Sequence, residues 1–587
     1  RVVPGSIAVM PAYPSRELMA TRMRIPLESG IRSVRSRGSG TEFDQLVGRI
    51  EGAESAESAD TWIELFADWN ALKSFVGSEG SRRSHALSKD MSNEANEKRD
   101  EYFRNDIAPA FEAGEAALVA ALLTSKHKEA VADRYGRQLL RGLSTMEEPL
   151  APINSELRVK ASDLSNRYSK IIASGEIEID GEMMTLAQVG ARLGAADEET
   201  RKQAYFARCN WFLEHRDEIA ELFSELVAVR DEMGRNVGHD NFVPLGYNGM
   251  GRTDYNVDEA AQFRANVRRH AVPLLEKMYA AQAAEHGGDT LAPWNMMYTP
   301  SQSLPRGVAP IDTQLDNAER IFDKISPILS DHFRRMRQED LIDLENRKGK
   351  RAGAYCTAFP DEGRVAILCN STGDENDVRT LMHEMGHAFQ GWESQPIESV
   401  DLQWPTSDAC EVHSMGMEYL SMKHIDEFFN EEQATKFRRA RWGQAVSLVC
   451  YICVVDEFQH WLYENPQATP DERDVAWQEI DSKYRPGIDY SECPQFRSLR
   501  WYQQGHIFWM PFYYIDYAIA ETGAMQLGLM DREDPVKALE TYLDLCRIGG
   551  QKSVLEIFES AGLRSPFDLG LMADLMEHAG REIGLAA

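Results

Sequence analysis

The sequence predicts a mainly α protein built from more than one lobe, and three observations carry that prediction. Apolar residues recur at three- and four-residue steps through most of the chain. Alternating, strand-like patterns are confined to two short regions. The length, 587 residues, exceeds the size at which a single hydrophobic core stops growing, so two or three lobes are expected.

Taken in order, helices are expected over 60–75, 93–123, 199–233, 257–284 and 313–336. The second half adds 375–392, 408–429, 431–463, 512–528, 535–547 and 566–583. The first extended region, GEIEIDGEMMT at 175–185, alternates across Asp180-Gly181 and reads as a hairpin. The second, GAYCTAFPDEGRVAILCN at 353–370, turns at Pro360 to Gly363. The polar stretch 77–98 reads as a mobile connection, and 287–310, rich in Pro, Gly and Ser, as a long surface loop. The expected division is an N-terminal helical region, 1–195, and a catalytic region, 196–587.

Composition narrows the function. Hydrophobic residues make up 43% and charged residues 27%, a globular balance. The net charge is −30, from 64 Lys plus Arg against 94 Asp plus Glu, which repels nucleic acid and anionic membranes. No run of 18 apolar residues is present, so no membrane span is expected. The opening RVVPGSIAVMPAYPSRELMA, broken by prolines and charges, does not make a signal peptide, and a cytoplasmic location is the default expectation. Eight cysteines in so long a chain argue against a disulfide scaffold. Cys450 and Cys453 form a CxxC, but the apolar helical run around them, AVSLVCYICVVDEF, reads as core packing.

The chemistry centres on His383-Glu384-Met385-Gly386-His387. Residues four apart on a helix share a face, so His383 and His387 project side by side and can bind one Zn²⁺. Glu384 can reach a water on that metal without being a ligand, as general base and then acid. Zinc lowers the pKa of such a water toward about 7. Gly386 costs about 1 kcal/mol inside a helix, which suggests a second backbone packed close beside it.

A catalytic zinc needs a third protein ligand and an open position. Glu411, in SDACEVHSMGMEYL, is the first candidate by spacing; Glu393, Glu398 and His413 stay open. Asp408, one turn before Glu411, can accept the free N–H of a ligand histidine, and Glu418 lies two turns after it on the same face.

DVRTLMHEMGHAFQ followed by DACEVHSMGMEYL resembles the M3 zinc endopeptidases, the thimet oligopeptidase-like group. GAYCTAFP, HIFWMPFYYIDYAIA and GGQKSVLEIFESAGLRSPF resemble its oligoendopeptidase F branch, and the resemblance runs from about residue 200 to the end. It implies two helical lobes around a deep substrate channel, a small β-sheet beside the HExxH helix, one Zn²⁺ per chain and Glu411 as third ligand. It further implies that His506, Tyr514 and Tyr517 stabilise the tetrahedral intermediate and hold the peptide, with Tyr513 and Tyr502 as alternatives. An edge strand starting at Gly353, Ala354 and Tyr355 would pair with the substrate backbone. The expected substrates are short unstructured peptides, cut internally by a monomer or weak oligomer. An exopeptidase on the same scaffold would need a cation for the terminal carboxylate, for which Arg497, Arg500 and Arg547 are available.

Overall fold

The computed structural model describes residues 42–52 and 58–585. The opening segment read for a signal peptide lies outside them. Helices dominate, and six of them build or brace the candidate site: α1 (Ala59–Lys89), α2 (Glu375–Glu393), α3 (Ser407–Ser421), α4 (Glu431–Glu464), α5 (Tyr514–Glu533) and α6 (Pro535–Ile548).

Among the described residues two large hydrophobic cores organise the fold, with a small third cluster of Ile179, Met184, Val189 and Ala204 by the first hairpin. The larger draws residues from Leu164 to Ile583 and includes the buried faces of α2 to α6. The smaller is N-terminal, with Trp62, Leu65, Phe66 and Trp69 of α1 packed on Leu118, Leu122 and Leu139. Two residues of the later chain, Ile397 and Leu402, also enter the smaller core. They lie in the loop between α2 and α3, so that loop is held by the N-terminal lobe.

The predicted hairpin is present as β1 (Glu176–Ile179) and β2 (Glu182–Thr185), with Asp180 and Gly181 in the turn at positive φ. A second sheet has three strands, β3 (Ile342–Glu345), β4 (Tyr355–Phe359) and β5 (Arg364–Ser371). The central strand β5 pairs parallel with β3 and antiparallel with β4, which leaves β4 at an edge. β3 was not foreseen; four residues are too few for an alternating signal to stand out.

Several expectations need correction. The stretch 77–98 is not a mobile connection, because α1 continues to Lys89 and a further helix starts at Glu94. Its polar residues face a polar partner: Arg82 bonds Asp361 and Glu362 in the β4–β5 turn, and Ser78 Oγ accepts from the Asp361 N–H. The helix expected over 313–336 breaks at Ser326-Pro327, since proline has no N–H to continue the ladder and restricts the residue before it. That expected over 257–284 breaks at Ala271, two residues before Pro273, and that over 199–233 at His215. Within 287–310, Pro293, Trp294 and Asn295 are buried rather than on the surface, and Asn295 accepts from the buried Arg201.

Cys450 and Cys453 are fully buried in α4, and all eight cysteines are free. Among the described residues two stretches are long and apolar enough to cross a bilayer by length and mean hydropathy, Glu94–Thr124 at 1.4 and α4 at 1.2. In α4, 78% of that window is buried inside the fold, as in a core helix.

Candidate active site

The site grows from the junction of β5 with α2. Asp377, in the first turn of α2, accepts from the backbone N–H groups of Thr372, Gly373 and Asp374, pinning the helix start to the strand end. About two and a half turns further on, α2 crosses α3 at Gly386. A Cβ there would lie 2.5 Å from the His413 carbonyl oxygen and 2.6 Å from Ser414 Cα, so only glycine lets the two backbones approach this closely. Tyr542 of α6 donates to the carbonyls of both Gly386 and His413, tying the crossing together.

That crossing brings His383 and His387 of α2 against Glu411 of α3. Glu411 Oε2 lies 3.4 Å from His383 Nε2 and 3.5 Å from His387 Nε2, and one donor atom from each of the three residues falls within 4.8 Å of the others. Ser414 Oγ donates to Glu411 Oε2 at 2.8 Å and steadies the carboxylate. Glu393, Glu398 and His413 are elsewhere: Glu393 binds His332 and Arg547, Glu398 pairs with Arg134, and His413 is buried beside the Cys410 carbonyl.

The residues present fit a divalent cation. A tetrahedral ion with bonds near 2.1 Å has edges of about 3.4 Å, the separation found between the carboxylate oxygen and each imidazole. The electrostatics agree. Burial opposes charge on His383, yet the Glu411 and Glu418 carboxylates raise its pKa to about 9. Burial also opposes charge on His387, but Cys410 and Glu411 push it well above the usual imidazole value. Glu411 sits well below the carboxylate range despite its burial, because both histidines hold it ionised. The cluster favours positive charge at its centre.

Around it stands an outer layer. Glu418 Oε1 lies 2.8 Å from His383 Nδ1, while Arg441 of α4 donates through Nε to Glu418 Oε2 at 2.6 Å. Arg441 also clamps both oxygens of Glu521 on α5. Burial would lift the Glu418 pKa, but Arg441 and His383 bring it down to about 2. His387 Nδ1 faces Cys410 Sγ at 3.4 Å. Asp408, expected to accept from a ligand histidine, does not: it bonds Thr406, beside the buried Arg252–Asp516 pair. Asp408 lies one turn short of the metal cluster, and Glu418 takes the position expected of it.

Glu384 is buried, its Oε2 has no hydrogen-bond partner, and burial raises its pKa. Beyond Glu411, Tyr513 Oη lies 3.5 Å from Glu411 Oε1 and 2.9 Å from Tyr517 Oη. Tyr513 and Tyr517 are four apart and share a face. Tyr514 meets Tyr451 edge-on and its ring lies 4.7 Å from that of His506, while the hydroxyls of Tyr513 and Tyr517 are the ones beside Glu411. Phe512, just before them, is held at φ +67° with its N–H on Gln459 and its carbonyl on the buried Arg252, which sets the direction of the chain into α5. His506 stacks on Tyr513 at 5.9 Å, with Gln504 at its Nδ1 and burial lowering its pKa. Tyr502 is fully buried against Asp474.

The edge strand β4 runs beside Glu384, whose charge, after burial itself, is the next influence raising the Cys356 thiol. Gly353 precedes the strand at φ +93° with its carbonyl on the Asn370 amide, next to Ala354, and Tyr355 Oη meets His85 Nδ1 of α1 at 3.0 Å.

Comparison with known proteins follows the same outline. The profile of peptidase family M3 matches residues 193–577, and that of the peptidase M3 N-terminal domain matches 40–147. The chain belongs to peptidase family M3. Membership implies a metal ion, and His383, His387 and Glu411 are the group that fits one. Among solved structures, this M3 chain is similar to PZ peptidase A, with a TM-score of 0.85 and 32% identity over 92% of this chain and 96% of that one. A structure described as a putative oligoendopeptidase F gives a TM-score of 0.85 and 34% identity over 93% of this chain and 98% of that one. By sequence, the chain is 22% identical over 312 residues to the group B oligopeptidase PepB of Streptococcus agalactiae, covering 50% of this chain and 49% of that protein. It is 23% identical over 243 residues to the chromosomal oligoendopeptidase F of Lactococcus lactis, covering 38% of each. The chain thus spans about half the length, or less, of the curated relatives it matches.

Proposed function

We propose that this M3 chain is a zinc endopeptidase that hydrolyses internal bonds of short, unstructured peptides. The observation that carries the reading is the convergence of two helical imidazoles and one carboxylate on a single point, with a further buried carboxylate, Glu384, between the histidines in sequence. His383, His387 and Glu411 would hold the metal. A zinc ion bound there would supply Lewis acidity and make a water easier to deprotonate at neutral pH.

The rest falls to the chain's own residues. Glu384, whose burial raises its affinity for a proton, takes one from the attacking water and returns it to the leaving amine. Tyr513, Tyr517 and His506 offer O–H and N–H donors on the Glu411 side, placed to stabilise negative charge developing on the scissile carbonyl oxygen. The edge of β4 offers main-chain groups to an extended peptide, a mode of binding that reads few side chains. The names of the relatives, oligopeptidase and oligoendopeptidase, point to the same substrate class.

The test is cleavage of a quenched fluorescent peptide about ten residues long and blocked at both ends, with a chelator and then with zinc restored. Internal cleavage that stops with chelator and returns with zinc is expected. Cleavage untouched by complete metal removal would refute the proposal.

A further inference from the structure

Of the arginines offered by the sequence for a substrate carboxylate, Arg547 is paired with Glu393 and Asp544, while Arg500 bonds Tyr451 and Arg497 bonds Ser482, both outside the ligand-bearing helices. A different arginine stands at the site. Arg379 lies on α2 four residues before His383, so Arg379, His383 and His387 follow one another along one helix face. The rise of 1.5 Å per residue places Arg379 about 6 Å along the axis from His383.

Three other arginines in this part of the fold have carboxylate partners. Arg441 is neutralised by Glu418 and Glu521, Arg252 by Asp516 and Arg264 by Asp456. The guanidinium of Arg379 donates only to two neutral amide oxygens, those of Gln444 and Asn376. Among the described residues no carboxylate lies within ion-pair distance of it. Its strongest acidic influence, Glu418, is already bound to Arg441 and His383. Arg379 is nonetheless half-buried rather than enclosed, and desolvation by the protein around it still holds its pKa below the usual arginine value. In a chain with a net charge of −30, a half-buried cation without a carboxylate partner, one helical turn from a metal-ligating histidine, is open to an anion from outside.

We propose that Arg379 is a subsite for a peptide carboxylate, either the C-terminal carboxylate or an Asp or Glu side chain, near the scissile bond. An extended peptide advances about 3.3 Å per residue, so the anionic group would sit about two residues from the bond that is cut. The amide oxygens of Gln444 and Asn376 orient the guanidinium and leave further N–H donors free for a two-pronged bond to the carboxylate. The enzyme then prefers acidic or carboxyl-terminal segments of short peptides over neutral ones. This specificity rests on the peptidase reading above.

Three matched peptides test it: one neutral and blocked, one ending in a free carboxylate two residues beyond the cleavage site, and one amidated with Asp at that place. With zinc-loaded protein, kcat/KM for at least one of the two anionic peptides should exceed that of the neutral peptide by about 10-fold to 100-fold, mostly through KM. In Arg379→Gln that ratio should fall toward one, and Arg379→Lys should restore part of it. Which anionic peptide responds tells the terminal carboxylate from the side chain. A ratio of one in the unaltered protein, or an unchanged ratio in Arg379→Gln, overturns the subsite while leaving the peptidase reading intact. Should no peptide be cut, the peptidase reading fails, and calorimetric binding of the same three peptides still reads the subsite: equal affinities would overturn it.

Discussion

His383 is held from two sides, by Glu418 at Nδ1 and toward Glu411 at Nε2, and Arg441 fixes Glu418 in turn. A hydrogen bond to Nδ1 sets the tautomer and presents the Nε2 lone pair, so the second carboxylate and its arginine act on the metal through the imidazole. Glu418→Gln should therefore weaken metal binding by about 10- to 100-fold, measured by competition with a chromogenic chelator. An unchanged metal affinity would remove Glu418 from this role. Histidines away from the metal ligands bear on acid stability: burial lowers His85, His413 and His460 alike, each to about 4. Burial, the largest influence on His460, lowers its pKa to about 4 in spite of Asp456, and the Tyr247 hydroxyl meets its Nε2. Unfolded, the imidazole titrates near 6.5, so the unfolded chain binds more protons between those values. Folded-state stability should thus be lost as the pH falls from about 6.5 to 4, by about 3 kcal/mol for this group. Denaturant midpoints across that window should fall less steeply in His460→Gln than in the unaltered chain.

At the scale of the element, the site depends on how closely α2 and α3 cross. Gly386→Ala would drive a methyl group into the His413 carbonyl and Ser414 Cα, backbone atoms that cannot swing aside. We expect a stability loss of about 1–3 kcal/mol or more by urea unfolding, together with weaker metal binding as the ligand helices separate. The need for this close approach was legible in the sequence, since a glycine inside an amphipathic helix demands a reason. So were the hairpins, α2 and the boundaries of α4, where periodicity or turn chemistry is strong. What was not legible depended on partners distant in sequence. The polar second half of α1 looks like a linker until the Asp361 and Glu362 turn is placed beside Arg82. That the Tyr513 hydroxyl, rather than that of Tyr514, lies beside Glu411 turns on a one-residue phase set by the strained Phe512, and the partner of Asp408 on the single turn that separates it from Glu411. Arg379 carries no motif of its own; its interest lies in a missing counter-charge, which only coordinates can reveal.

At the scale of the whole molecule, the N-terminal lobe reaches into the loop that joins the two ligand-bearing helices. Asn70 of α1 donates to the Glu398 carbonyl and accepts from the Val400 N–H, each at 2.8 Å, while Lys73 pairs with Asp401 as well as Glu115. Ile397 and Leu402 complete the attachment through the N-terminal core. The lobe is therefore part of what sets the distance between His387 and Glu411. Asn70→Ala leaves a carbonyl and an N–H of the loop without their partner and should cost about 1–3 kcal/mol in thermal or denaturant unfolding. It should also raise the rate of metal release measured by stopped-flow chelation. Loss of stability with metal release unchanged would confine the lobe to a purely supporting part.

The central claim is that Glu384 moves the proton in a site whose metal is held by His383, His387 and Glu411. The most direct measurement is the metal content and peptide turnover of Glu384→Gln, a change that keeps the shape of the side chain and removes its basicity. One metal ion per chain with kcat reduced by at least about 10²–10⁴-fold is the predicted result. Normal turnover with full metal occupancy would contradict it.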